Sequence, residues 1–187
     1  MNIVFCHGVM DPDEDWENRE STPIKNWAYW LQFKTEKDMD IITQIPFFPH
    51  AHALLMKYSE WEQIMDKQDI NEDTILIGHS AGGGFILKYM AQHPKLKIRQ
   101  IILVAPWIDV ENVCPSGFYH NMNLSDNLIT RTKHGIDLLI SADDDNDILN
   151  SVNKITKNLS DVRAHKFTGR GHFTGDELPE IMSIIKW

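Results

Sequence analysis

Three stretches of this chain are almost unbroken apolar runs: "TILIG" from Thr74, "RQIILVAP" from Arg99 and "GIDLLIS" from Gly135. A strand with one wet face alternates apolar and polar residues. A run without alternation needs cover on both faces, which is the condition of a parallel strand with helices on either side of its sheet. Longer amphipathic segments separate these runs. In "PIKNWAYWLQF", Ile24, Trp27, Trp30 and Leu31 share one helical face, and Pro23 suits a helix start. "ALLMKYSEWEQIM", "AGGGFILKYMAQH", "DILNSVNKITKNL" and the closing "GDELPEIMSIIKW" also read as helices, while "NIVFC", "DIITQIP" and "VRAHKFT" read as further strands. Strands alternating with helices predict an α/β fold: a doubly wound, mostly parallel sheet of about six strands between two helical layers. Residues 107–133 are less regular and hold Pro115 and Gly117. They are the main material for covering a site.

The chain has 187 residues, enough for one core, and no repeat, low-complexity tract or flexible linker divides it. One domain over residues 1–187 is expected. A net charge of −9 supplies no basic face for nucleic acid or for anionic membrane. No apolar run approaches the ~20 residues that span a bilayer. Met1-Asn2-Ile3 leads straight into a strand, without a targeting leader or a myristoylation glycine. The two cysteines, Cys6 and Cys114, lack a C-x-x-C partner. Together these readings predict a cytoplasmic protein in a reducing compartment.

The chemistry centres on Gly78-His79-Ser80-Ala81-Gly82, a G-x-S-x-G pattern between a buried strand and a helix. A sharp strand–helix turn there needs small flanking residues and projects the serine at the strand's end. A serine hydroxyl is a weak nucleophile without a base, and the base needs an orienting acid. In this fold the acid and then the histidine follow the serine in sequence, each just past a strand. Gly171-His172-Phe173 follows "VRAHKFT", and Asp143-Asp144-Asp145-Asn146-Asp147 follows "GIDLLIS". The alternating acids fail as a calcium loop, because Ile148 and Lys154 stand where glycine and glutamate are needed. Asp147 suits the first turn of the next helix, which leaves Asp144 or Asp145 as the acid. His50 and His52 form an H-x-H pair without a third zinc ligand. No metal or organic cofactor is expected.

Two N–H donors are required for a developing oxyanion. Ala81, after the nucleophile, is one expected donor, and Val9, in the loop after the first strand, is the other. The acidic "DPDEDW" from Asp11 lies just beyond; it reads first as a solvated acidic loop, and a preference for cationic substrates is the sharper alternative. Met10, Trp16, Trp107, Phe118 and Tyr119 are candidate pocket residues.

With "IGHSAGGG", "LVAP" followed by "SGFY", the Asp-Asp loop and "HKFTGRGHF" in view, the chain resembles the compact α/β-hydrolase family that includes the human retinoblastoma-binding serine hydrolase and its bacterial relatives. The resemblance implies a serine hydrolase without a large lid domain, with Ser80 as nucleophile and His172 as base. The family's acid is the second of an adjacent Asp pair, and an ungapped count back from His172 places it on Asp145. The expected activity is hydrolysis of a small ester, thioester or amide through an acyl-enzyme. The competing expectation is a hydrolase fold that acts only as a protein-binding module.

Overall fold

The computed structural model describes residues 1–10 and 26–186. The expectations for the Asp11–Trp16 loop, for Pro23 and Ile24, and for Trp187 in the closing helix fall outside the described residues.

The strands are β1 (Asn2–Cys6), β2 (Ile42–Gln44), β3 (Thr74–His79), β4 (Gln100–Val104), β5 (Ile136–Ser141) and β6 (Val162–Phe167). They form one six-stranded sheet in the order β2-β1-β3-β4-β5-β6, and every neighbouring pair is parallel. The helices are α1 (Asn26–Met39), α2 (Tyr58–Met65), α3 (Ala81–Gln92), α4 (Asn127–Thr130), α5 (Asn146–Asn158) and α6 (Glu180–Ile184). The three unbroken apolar runs are β3, β4 and β5, and all residues of β3 and β4 are buried. Their lack of alternation therefore reflects cover on both faces.

From β1 the chain moves outward to β2. It then returns across β1 to β3 and builds away through β4 and β5. That reversal opens a crevice beyond the carboxyl ends of β1 and β3, where open α/β sheets place ligands. The register aligns Cys6 with Gly78, His79 with Val104, and Ser141 with Phe167. The loops after β1, β3, β5 and β6 therefore leave the same edge of the sheet.

Two helices are shorter than their sequence patterns. Residues 53–55 form a turn, with the Leu55 and Met56 amides both donating to the His52 carbonyl. The Met56 carbonyl accepts from Ser116 Oγ at 2.7 Å, and extended Lys57 (φ −126°, ψ 127°) precedes α2. A tertiary contact here overrides a helical periodicity. The closing helix starts only at Glu180, because Pro179 disfavours helical backbone at Leu178 before it. Beyond Ile184 the chain is drawn to the start of β4: the Lys186 amide donates to Gln100 Oε1, and Arg99 Nε donates to the Lys186 carbonyl.

Candidate active site

Ser80 stands between β3 and α3 with φ 54° and ψ −124°, a backbone state that costs a residue with a side chain on the order of 1–3 kcal/mol. Its surroundings hold it there. The Ser80 amide donates to the Val104 carbonyl at 3.0 Å, and the Ser80 carbonyl accepts from the Gly83 and Trp107 amides, both at 2.9 Å. Close approach is the reason for the glycines. A Cβ on Gly82 would lie 2.1 Å from the Cys6 carbonyl oxygen and 2.5 Å from that of His7. The first turn of α3 thus rests directly on the end of β1, bringing the loop after β1 beside Ser80.

That loop is fixed by His7, which is fully buried. Its Nε2 lies 2.9 Å from the Phe48 amide and must accept, so Nδ1 carries the proton and donates to the Gly8 carbonyl at 2.7 Å. Burial lowers the His7 pKa to about 4, which keeps the ring neutral and able to accept. Gly8 packs against the Ser80 Cβ, and Val9 and Ser80 line one cavity.

The loop after β5 brings Asp144, rather than the expected Asp145, to the histidine. His172 Nδ1 lies 3.0 Å from Asp144 Oδ1 and 3.3 Å from Oδ2, and the Asp144 side chain is only 1% exposed. The carboxylate fixes the tautomer: Nδ1–H donates to it, and Nε2 remains the basic nitrogen. Asp145 adopts extended backbone (φ −64°, ψ 151°) at the N-cap of α5, which turns it away from this contact. Asp147 sits in the first turn of α5, as its position in the sequence predicts.

His172 is held on its other side by His79. The His79 Nε2 donates to the His172 carbonyl at 2.9 Å, and the two rings lie 4.9 Å apart. His79, between Gly78 and Ser80 in the G-x-S-x-G turn, therefore supports the histidine loop. Nothing in the sequence pattern marks that role.

Ser80 and His172 line one cavity of about 170 Å³ together with Val9, Trp107, Asp145 and Asp147. Of the other candidate pocket residues, Phe118 and Tyr119 are buried in the core, where Tyr119 Oη donates to the Ala81 carbonyl at 2.8 Å. Met10 pairs with the chain at Ala51–Ala53, and Trp16 lies outside the described residues. Burial, followed by the negative charges of Asp145 and Glu111, raises the Asp147 pKa against the hydrogen bond it accepts from the Ile148 amide. His50 bonds Glu60, and His52 Nδ1 accepts from the Leu54 amide. Among the described residues, no three His, Cys, Asp or Glu are grouped to hold a metal ion.

A family described as "Serine aminopeptidase, S33" matches residues 49–185. Serine hydrolase RBBP9 of Rattus norvegicus is 26% identical over 169 residues, which cover 86% of this chain and 84% of that protein. A shorter stretch of 88 residues is 36% identical to the 5-methyltetrahydropteroyltriglutamate–homocysteine methyltransferase of Bacillus licheniformis; it covers 42% of this chain and only 11% of that protein. Among solved structures, the ydeN gene product of B. subtilis superposes with a TM-score of 0.77 at 19% identity, over 98% of this chain and 95% of that one. That likeness bears on the fold, which is that of α/β hydrolases.

Proposed function

Given that the chain belongs to the serine aminopeptidase S33 family and is a serine hydrolase, we propose that it cleaves a small ester, thioester or amide through an acyl-enzyme on Ser80. One observation carries the reading: His172, its Nδ1 committed to buried Asp144, lines the same cavity as Ser80. Ser80 Oγ attacks the substrate carbonyl while His172 Nε2 takes its proton. The imidazolium, stabilised by Asp144, then protonates the leaving group, and water repeats the cycle on the acyl-enzyme. The Ala81 and Val9 amides receive the oxyanion. Neither is spent on a carbonyl among the described residues, and both stand next to the nucleophile. The size of the cavity favours short acyl groups over long lipid chains.

The reading is tested by treating the protein with a fluorophosphonate and mapping the adduct by mass. The label is expected on Ser80, together with hydrolysis of p-nitrophenyl acetate. A wild-type protein that neither labels nor hydrolyses the ester would leave the protein-binding module as the better account.

The preference for cationic substrates first suggested by the Asp11–Trp16 loop has a second basis inside the cavity. Asp145 and Asp147 line its wall, and neither is paired with Lys, Arg or His among the described residues. A positive group on the substrate would relieve this charge. Acetylthiocholine and 3,3-dimethylbutyl thioacetate differ only in that charge. The wild type is expected to favour the former by about tenfold in kcat/KM, roughly 1.4 kcal/mol of discrimination. The preference should fall with salt and shrink in Asp145→Asn/Asp147→Asn. An unchanged ratio in that double variant would remove these two acids from substrate selection.

A further inference from the structure

The run Asp143-Asp144-Asp145 places one carboxylate on His172 and one at the N-cap of α5, and leaves the first without a role in the chemistry above. Its contacts point across the site to the other loop. Asp143 Oδ1 accepts from the Gly169 amide at 2.8 Å and from Ser141 Oγ at 2.5 Å. Ser141 Oγ in turn accepts from the Arg170 amide at 3.1 Å. Two successive amides of the histidine loop are therefore taken up by the loop that carries Asp144.

Apart from the ion pair of the Arg170 side chain with Glu180, that segment has little else to define it. Residues 168–170 are exposed, and Gly169 (φ 75°) and Gly171 (φ 47°) occupy the left-handed region. A Cβ on either glycine would meet nothing within 4 Å, so no packed wall confines the backbone there. The far side is anchored: Phe173 is buried, its amide donates to the Arg170 carbonyl, and His79 holds the His172 carbonyl. The near side depends on hydrogen bonds.

We infer that Asp143 is a positioning residue whose carboxylate, with Ser141, fixes residues 169–171 and so sets the His172 imidazole on Asp144. This rests on the proposed roles of His172 and Asp144. The Ser141 hydroxyl, and after it the loop amides, hold Asp143 below the usual carboxylate range, so it accepts as an anion at neutral pH. Among the described residues no hydrogen bond joins the Asp143 side chain to that of Asp144 or His172; it reaches the histidine loop at the Gly169 amide and, by way of Ser141 Oγ, at the Arg170 amide.

The test compares Asp143→Ala, Asp143→Asn and Ser141→Ala with wild type in two readouts. One is the kcat and KM for p-nitrophenyl acetate. The other is the far-downfield proton NMR resonance of the His172 Nδ1–H bonded to Asp144. In Asp143→Ala, kcat is expected to fall about 100-fold with KM within about twofold, the signature of a misplaced catalytic group rather than lost binding. The resonance should broaden or disappear. Asp143→Asn keeps an oxygen for the Gly169 amide, so it should lie between Asp143→Ala and wild type. A kcat within about twofold of wild type and a sharp resonance in Asp143→Ala overturn the inference, as does a loss confined to KM. If Asp143→Ala does not fold, wild-type kcat and resonance in both Asp143→Asn and Ser141→Ala overturn it equally. The resonance reports on the pair whether or not Ser80 turns over. An inert wild type whose resonance still responds to Asp143 would sink the hydrolase reading and keep this one.

Discussion

Asp144→Asn is expected to lower kcat about 10⁴-fold, while Asp145→Asn, one residue along, stays within a few-fold of wild type. The imidazole needs Nδ1 protonated so that Nε2 can act as base, and only an acceptor facing Nδ1 enforces that tautomer. Asp144 provides one at 3.0 Å from a nearly inaccessible position. An asparagine there can present its amide N–H instead, stabilising the unproductive tautomer and failing to stabilise the imidazolium. At Asp145 the same change replaces one good N-cap residue with another, so α5 should keep its start. Ser80→Ala sets the floor, with a loss on the order of 10⁶-fold. Adding Asp144→Asn to Ser80→Ala should cost little more, because residues that act as one unit do not contribute additively. Release of p-nitrophenol from saturating p-nitrophenyl acetate, corrected for the uncatalysed rate, measures all four variants. Equal losses at Asp144 and Asp145 would contradict the assignment.

The ambiguity between these acids shows where the sequence stops being legible. Strand positions were readable because a buried parallel strand has a one-dimensional signature, and β3, β4 and β5 carry it without interruption. That Ser80 and His172 line one cavity was readable because each lies near glycine just after a strand, in the order that the crevice requires. The carboxylate that meets His172 was not, since three successive aspartates are the same chemical group. The choice among them is made by a turn: the Asp144 amide meets the Ser141 carbonyl at 3.3 Å, and extended backbone at Asp145 then opens α5. Counting back from His172 cannot register that turn. The helix expected from Ala53 failed similarly, because Ser116, distant in sequence, takes the Met56 carbonyl. His79 and Asp143 were invisible as supports because both act on backbone groups of the histidine loop, and backbone groups leave no residue-type signal.

Gly82→Ala is the second change expected to be severe, and it probes the join between fold and site. The added methyl would sit 2.1 Å from the Cys6 carbonyl oxygen, and that oxygen belongs to backbone at the end of a buried strand. No flexible side chain can yield, so either α3 lifts from the sheet or β1 shifts. Such overpacking is expected to cost about 3 kcal/mol or more, read as a lower urea midpoint at unchanged slope. Either movement also parts the loop carrying Val9 from Ser80. In protein that remains folded, kcat should therefore fall about 100-fold beyond any loss of folded fraction. Gly175→Ala is the matched control, because a Cβ there would approach nothing nearer than 3.8 Å. Its stability should stay within about 0.5 kcal/mol of wild type. If Gly82→Ala matched it, α3 would not be seated on β1 as described, and the placement of the loop carrying Val9 beside Ser80 would lose its structural basis.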